Sequence, residues 1–522
     1  MDGSSVIFIV MPIVIPLVLF VGIALPYLAD SRSGRKDRDM HTTFAARQGS
    51  GPVDARPQVV IVGAGFAGLN AARALRHADA DVTIVDGHDY HTFHPLLYQV
   101  STGYLVPEEV GAALHAVFRR QANVRVRVGK ATRLDYPGRA LVLQDGSTLP
   151  FDYLIVAAGA ETNFFGVPGM RKHGWPLYTL PDAVRLRRHL LSALEQAAVA
   201  GPAAAPINVV VVGGGSTGVE TAGALASMAR ELAGPAVTLR VTLVEAASRL
   251  LNGFSTHSSQ TALADLRRRG VDVRLGQAVR AADARHVTLS GGERIQTGTV
   301  IWAAGVKANS VSRGLGLRVN DHGRIVVDSR LQVPDHPDVF AVGDVAAATQ
   351  PPSGQPLPML APVAIQTGRH AGQQVARLIS GKSLTDFRYR DKGVVAVLGR
   401  GDAVTELPLI PGPPGRYQLR IGGRLAWLLW LGVHIVYLIG FRNRLQVLID
   451  WAWKYFTSRG AGAILLEQAQ DLTPDITVTD HMPAPQLPGA ISIRGTVGAD
   501  GDHAEDTPFS ADGGSRNRRP AI

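Results

Sequence analysis

The sequence predicts an α/β protein with two doubly wound, parallel-sheet domains, the second inserted into the first. Three observations carry this: VVIVGAGFAGLN at 59–70, its near-repeat VVVVGGGSTGVE at 209–220, and HPDVFAVGDVAAA at 336–348, which reads as a late return of the chain to its first sheet. An N-terminal transmembrane helix and a C-terminal pair of membrane-associated helices complete the expected fold.

Each repeat supplies what a dinucleotide needs. The run of β-branched residues is a strand covered on both faces, and the first glycine (Gly63, Gly213) permits the tight turn out of it. The second (Gly65, Gly215) lets backbone approach a pyrophosphate, and the third (Gly68, Gly218) lets the following helix pack on the strand. The phosphates then rest on free N–H groups at the helix start. A second strand follows each turn, DVTIVDG ending in Asp86 and RVTLVEA ending in Glu245. An acid there accepts hydrogen bonds from an adenosine ribose and repels a 2′-phosphate. No guanidinium follows at Ala246 or Ala247, so NADH is expected over NADPH.

The crossing points between domains are marked by two AAG turns, 157–159 with Gly159 and 303–305 with Gly305. Small-residue turns after strands also have this composition. In VFAVGD, Gly343 and Asp344 stand just past a strand, where the carboxylate can cap a helix and hold a ribityl or ribose hydroxyl. The expected divisions are an anchor over 1–30, a linker over 31–56, the first nucleotide domain over 57–170 and 309–385, and the second over 171–308. A membrane-associated region follows over 386–465, then a disordered tail over 466–522, rich in Pro, Gly, Asp and Thr.

Composition narrows the chemistry. The 522-residue chain contains no cysteine, which excludes disulfides, iron–sulfur clusters and a redox CxxC, and no metal site is expected. Two dinucleotide sites commonly mean flavin plus nicotinamide, and without thiols the acceptor must take electrons directly from the flavin. The net charge of +10 has no basic run with interleaved aromatics in the nucleotide region, so nucleic acid is not an expected partner.

The basic excess sits instead near residues 420–460, where Arg420, Arg424, Arg442, Arg444, Lys454 and Arg459 face the single acid Asp450 amid apolar and aromatic residues. That composition suits anionic lipid headgroups, with Trp427, Trp430, Tyr437, Trp451, Trp453 and Tyr455 placed at the interfacial zone. A helix packed in a soluble core or at a dimer interface would read similarly. Residues 6–29 carry no charge, and as a helix would span about 36 Å, enough to cross a bilayer. Arg32, Arg35, Lys36 and Arg38 follow, so the catalytic domains are expected on the cytoplasmic side of the cell membrane.

The segments GAGFAGL, DYHTFHPLLYQVSTG, AAGAETN, GGGSTGVETAGAL, WAAGVKA, FAVGD, APVAIQTG, DKGVVAVLGR and FRNRLQVLIDWAWKY together resemble the type II, non-proton-pumping NADH:quinone oxidoreductases, over about 57–460. The resemblance implies FAD at the first fingerprint and NADH at the second, in a homodimer held to the membrane by its C-terminal helices. It assigns Gly63, Gly65, Gly68, Asp86, Gly159, Gly343 and Asp344 to FAD, with Leu97 and Tyr98 near the isoalloxazine, and Gly213, Gly215, Gly218, Glu245 and Gly305 to NADH. Glu220, Gln366 and Lys392 are the candidates for the chemistry with menaquinone or ubiquinone. Pro362 stands where the family usually has the first glutamine of AQxAxQ, removing one polar contact and one backbone donor. The rival readings are a flavin reductase of a soluble protein acceptor and a membrane-tethered flavin protein that senses NADH.

Overall fold

The computed structural model describes residues 56–457 except 202–204, 233–236, 351–353 and 409–417. The expected N-terminal anchor, nearly all of the linker, and the tail lie outside the described residues.

The first sheet has the strand order 332–333, 336–341, 153–156, 58–62, 81–86, 124–128. Its centre, Gln58–Val62, is parallel to both neighbours and is buried beyond its first residue, as a strand covered by helices must be. The chain leaves this sheet after Val156 and comes back at Gln332, and His336–Ala341 pairs in parallel with Tyr153–Val156. The second sheet, ordered 174–176, 299–302, 207–212, 239–245, 272–275, is parallel throughout. Between the two excursions lies a short ribbon: Ala160–Thr162 pairs antiparallel with Val306–Ala308, and Glu161 meets Lys307 at 3.2 Å. Gly159 and Gly305, immediately before these strands, both have positive φ, which explains the glycines of the AAG turns.

Two close approaches set the site's dimensions. The helix Ala361–Ile379 lies on the first fingerprint helix, Phe66–Ala74, through Gly368 and Gly372, where a Cβ would come within 2.0 Å of the Ala67 carbonyl oxygen and 2.4 Å of that of Ala71. The second fingerprint helix, Ser216–Leu232, receives the strand Val394–Gly399 at Gly223, where a Cβ would lie 2.1 Å from the Leu398 oxygen.

That strand belongs to an antiparallel sheet with Asp402–Pro408 and Gln418–Gly422, so the C-terminal region begins as a sheet and only then becomes helical, over Gly423–Tyr437 and Phe441–Thr457. Among the described residues, no helix is long and apolar enough to cross a membrane. The aromatic residues of these helices divide differently from the sequence expectation. Trp430 and Trp451 are only 2% and 9% exposed and pack in one cluster with Leu97, Tyr98 and Val219, whereas Tyr437 is exposed. An indole on an apolar helix suits a lipid interface or a protein core equally, and here the core claims two of them.

Candidate functional site

The two fingerprints fold alike because each glycine meets the same constraint. Gly63 and Gly213 have φ near +100°, and a Cβ on either would strike the Ala157 or Ala303 carbonyl oxygen of the neighbouring strand end. Gly68 and Gly218 lie so close to the Gly63 and Gly213 oxygens that a Cβ would sit 1.8 Å away. Gly65 and Gly215, by contrast, would point a Cβ into open space with nothing within 4 Å. A missing side chain over empty space at a helix start is the cradle a pyrophosphate fills, so the residues present fit two dinucleotides.

The strand-end acids close each loop. Asp86 accepts from the Ala64 N–H at 2.7 Å and the His88 N–H at 2.9 Å, and Glu245 accepts from the Gly214 and Ala247 N–H groups, the latter at 2.7 Å. Arg249, the first guanidinium beyond Glu245, is turned onto the Asn252 carbonyl and the Thr256 hydroxyl. His91, which sequence reasoning did not single out, binds the Ala64 carbonyl through Nδ1 at 2.8 Å, and burial pushes its pKa down to about 4. The ring is therefore neutral and carries its proton on Nδ1, steadying the first loop from beneath.

On the return strand, the Gly343 N–H donates to the Thr367 hydroxyl at 3.0 Å, fixing the GD turn to the helix Ala361–Ile379. Burial raises the pKa of Asp344 to about 6, against the opposing pull of Arg324. Arg324 is itself buried, with one nitrogen on the Leu357 carbonyl. Pro362 occupies the first turn of the same helix, where a missing N–H costs no intrahelical bond.

A narrow cavity of about 90 Å³ lies between the fingerprint region and the C-terminal helices, lined by Tyr98, Gln99, Glu220, Val397, Trp430 and Trp451 among others. Glu220 is buried in its wall, and one carboxyl oxygen accepts from the Val397 N–H at 3.2 Å. Burial lifts its pKa to about 8, so the group is an uncharged acid at neutral pH.

Of the remaining sequence candidates, Leu97 and Tyr98 are buried beside this cavity on the short helix Leu97–Ser101. Gln366 has both ends of its amide engaged by the backbone of Arg390, donating to its carbonyl at 2.9 Å and accepting from its N–H at 3.0 Å. In this conformation Gln366 clips the approach to the C-terminal sheet onto the helix. Lys392 is exposed near that clip, and no ion pair engages it among the described residues. Neither Gln366 nor Lys392 lines the cavity. Gln99 and Trp451 do, and only the fold could pair residues so far apart.

Residues 57–368 match the pyridine nucleotide-disulphide oxidoreductase family, and residues 392–460 match the NDH2 C-terminal domain. The chain is 36% identical over 438 residues to the type II NADH:quinone oxidoreductase NdhA of Mycobacterium tuberculosis, covering 79% of this chain and 90% of the relative. The enzyme Ndh of the same organism is 34% identical, with 79% and 91% covered. The chain belongs to the type II NADH:quinone oxidoreductases. Its fold matches NDH2 from Plasmodium falciparum in complex with NADH, with a TM-score of 0.68 at 19% identity, covering 77% of this chain and 99% of that one. It also matches the sulfide:quinone oxidoreductase of Aquifex aeolicus, with a TM-score of 0.63 at 18% identity, covering 77% of this chain and 95% of that one. Those two likenesses concern the fold alone. Within the type II oxidoreductase family, this chain's two cradles, its thiol-free interior and its cavity against the C-terminal helices are the parts from which the reaction must be built.

Proposed function

We propose that this type II oxidoreductase oxidises NADH and reduces a membrane quinone, without pumping protons. The observation that carries the reading is the arrangement of two glycine cradles and a thiol-free apolar cavity in one chain. FAD, when bound at the first cradle, would supply the two-electron relay between NADH and quinone.

The chain's own residues bind, orient and exclude. The Phe66–Ala74 helix start, Gly65, Asp86 and Asp344 hold FAD, with Gly159 and Gly343 shaping the turns about it, while the Ser216–Leu232 helix start, Gly215, Glu245 and Gly305 hold NADH. Fixing two rings near contact distance supplies much of the rate through orientation. Glu245 turns away a 2′-phosphate, and Arg249, already engaged, offers it no partner. Glu220 keeps its proton at neutral pH and so faces the acceptor as a donor, where negative charge grows as the quinone is reduced. Gln366 acts from outside the cavity through its clip on the Arg390 backbone, and Lys392 stands exposed close to that clip.

The C-terminal helices carry the enzyme to lipid. Leu425, Val433, Val436, Tyr437, Phe441, Leu445 and Ile449 are exposed apolar residues on helices whose opposite faces are buried, and Arg424 and Arg442 flank them. That pattern fits a helix pair lying on a membrane surface, from which a quinone enters the cavity. The anchor over 6–29, the cytoplasmic placement and a homodimer complete the proposal. The test is turnover of the detergent-solubilised full-length protein with NADH and a ubiquinone or menaquinone analogue. One quinol formed per NADH consumed supports the reading; NADH oxidation indifferent to added quinone contradicts it.

A further inference from the structure

Three buried side chains from distant parts of the sequence form a line that ends in the cavity. The Trp451 indole Nε1–H, from the last described helix, donates to Gln99 Oε1 at 2.8 Å. Gln99 Nε2 in turn donates to the Tyr98 hydroxyl oxygen at 2.9 Å. All three residues are buried, and all three line the cavity that Glu220 also faces.

The direction of this line is fixed by chemistry. An indole N–H can only donate, so the end of the Gln99 amide facing Trp451 must be its carbonyl oxygen. The other end, facing Tyr98, is then the NH₂, which can only donate. The phenol oxygen is thereby made the acceptor, and its own hydrogen must point elsewhere. Among the described residues no acceptor receives it, so a buried hydroxyl is left with a donor unspent beside an apolar cavity. Burial holds the phenol in its protonated form.

We propose that the Tyr98 hydroxyl is a catalytic residue that donates a hydrogen bond to a carbonyl oxygen of the bound quinone, and that Gln99 and Trp451 are positioning residues that aim it. The role is hydrogen bonding alone: the phenol keeps its proton while the carbonyl gains electron density, and the interaction strengthens as charge develops there. The C-terminal helix thus acts on the acceptor chemistry through Trp451 as well as on lipid through its outer face. This proposal rests on the quinone reading of the cavity.

The test uses anaerobic full-length holoenzyme, reduced with NADH and then mixed either with a short-chain ubiquinone analogue or with ferricyanide, which accepts electrons without a carbonyl. The ratio of the two reoxidation rates is read. Tyr98→Phe lowers this ratio about tenfold or more, a loss smaller than the roughly hundredfold to thousandfold of a sole oxyanion donor because Glu220 still faces the carbonyl. Trp451→Phe and Gln99→Met, which leave the phenol present but unaimed, lower it about threefold to tenfold. Neither has any further effect when combined with Tyr98→Phe, a silence that a merely structural role would not produce. A ratio equal to wild type in Tyr98→Phe overturns the proposal. Should that variant fail to retain FAD, an unchanged ratio in both Trp451→Phe and Gln99→Met overturns it instead. If wild-type reduced enzyme is reoxidised by ferricyanide and not by quinone, the quinone reading falls and takes the proposal with it.

Discussion

Glu220 is an acid kept uncharged by its surroundings, and replacing it with glutamine isolates what that proton does. Burial raises its pKa from 4.5 to about 8, against the opposing pull of the Val397 N–H at 3.2 Å and of the Trp430 side chain. Below pH 8 the side chain can donate to a quinone carbonyl; above it, the side chain is a carboxylate that repels the growing charge. The protonated fraction is about one half at pH 8 and roughly 3% at pH 9.5, so reoxidation of reduced enzyme by quinone should fall about thirtyfold between pH 6.5 and 9.5. Glu220→Gln keeps the shape and a donor without a titrating group. Its profile should stay flat over the same range, with a rate at low pH within a few-fold of wild type. Rapid mixing of NADH-reduced enzyme with a quinone analogue, in both proteins across that range, is the assay. Stability follows the same proton. A raised folded-state pKa means that the native protein holds the proton more tightly than the unfolded chain, so this stabilisation is complete below about pH 4.5 and is lost as pH rises toward 8. The shift amounts to roughly 5 kcal/mol at its limit, and the glutamine variant escapes that loss. Superimposable pH profiles in the two proteins, for reoxidation and for stability, would show that the Glu220 proton plays neither part.

Gly65→Val and Gly215→Val place a side chain over empty space, so both fold, but their effects separate: the first loses FAD on gel filtration, and the second keeps FAD while its apparent NADH affinity falls tenfold or more. Gly223→Ala, by contrast, meets the Leu398 carbonyl and lowers the melting temperature, because a backbone atom cannot move aside as a flexible side chain can. Glu245→Gln removes the charge that repels a 2′-phosphate, and the ratio of kcat/KM for NADH over NADPH drops by about an order of magnitude. Leu425→Ser with Ile449→Ser removes two side chains that are 58% and 55% exposed, at a cost to lipid binding of about 1 kcal/mol each and thus roughly thirtyfold together in a vesicle sedimentation assay. Equal sedimentation of this variant and wild type would remove the proposed membrane face.

The nucleotide half of the site was legible because its physics is local. Gly63, Gly65 and Gly68 answer to constraints set within one turn and its neighbouring strand end, and Asp86 closes its own loop from the end of the next strand. The AAG turns were legible for the same reason, each needing a positive φ at the last glycine. The acceptor half was less so, because it is assembled from segments that only the fold brings together. Glu220 is bonded by Val397, and Gln99 by Trp451, over sequence separations of 177 and 352 residues. Gln366 carried a family signal for quinone chemistry, yet its amide is taken up by the Arg390 backbone, a pairing that no spacing rule announces. Trp430 and Trp451 misled because amphipathic helices with aromatic residues serve lipid and protein equally well. Their outer faces, at Leu425, Phe441 and Ile449, keep the apolar exposure that the inner faces lose.

In the proposed reaction one flavin, held at the first cradle, stands between a nicotinamide and a quinone. Anaerobic addition of NADH to the purified full-length protein, followed by a quinone analogue, tests it most directly through the flavin absorbance. Bleaching by NADH and full recovery on quinone addition, with no other carrier present, is the expected result. A colourless protein, or a bleached flavin that ferricyanide restores and quinone does not, would contradict it.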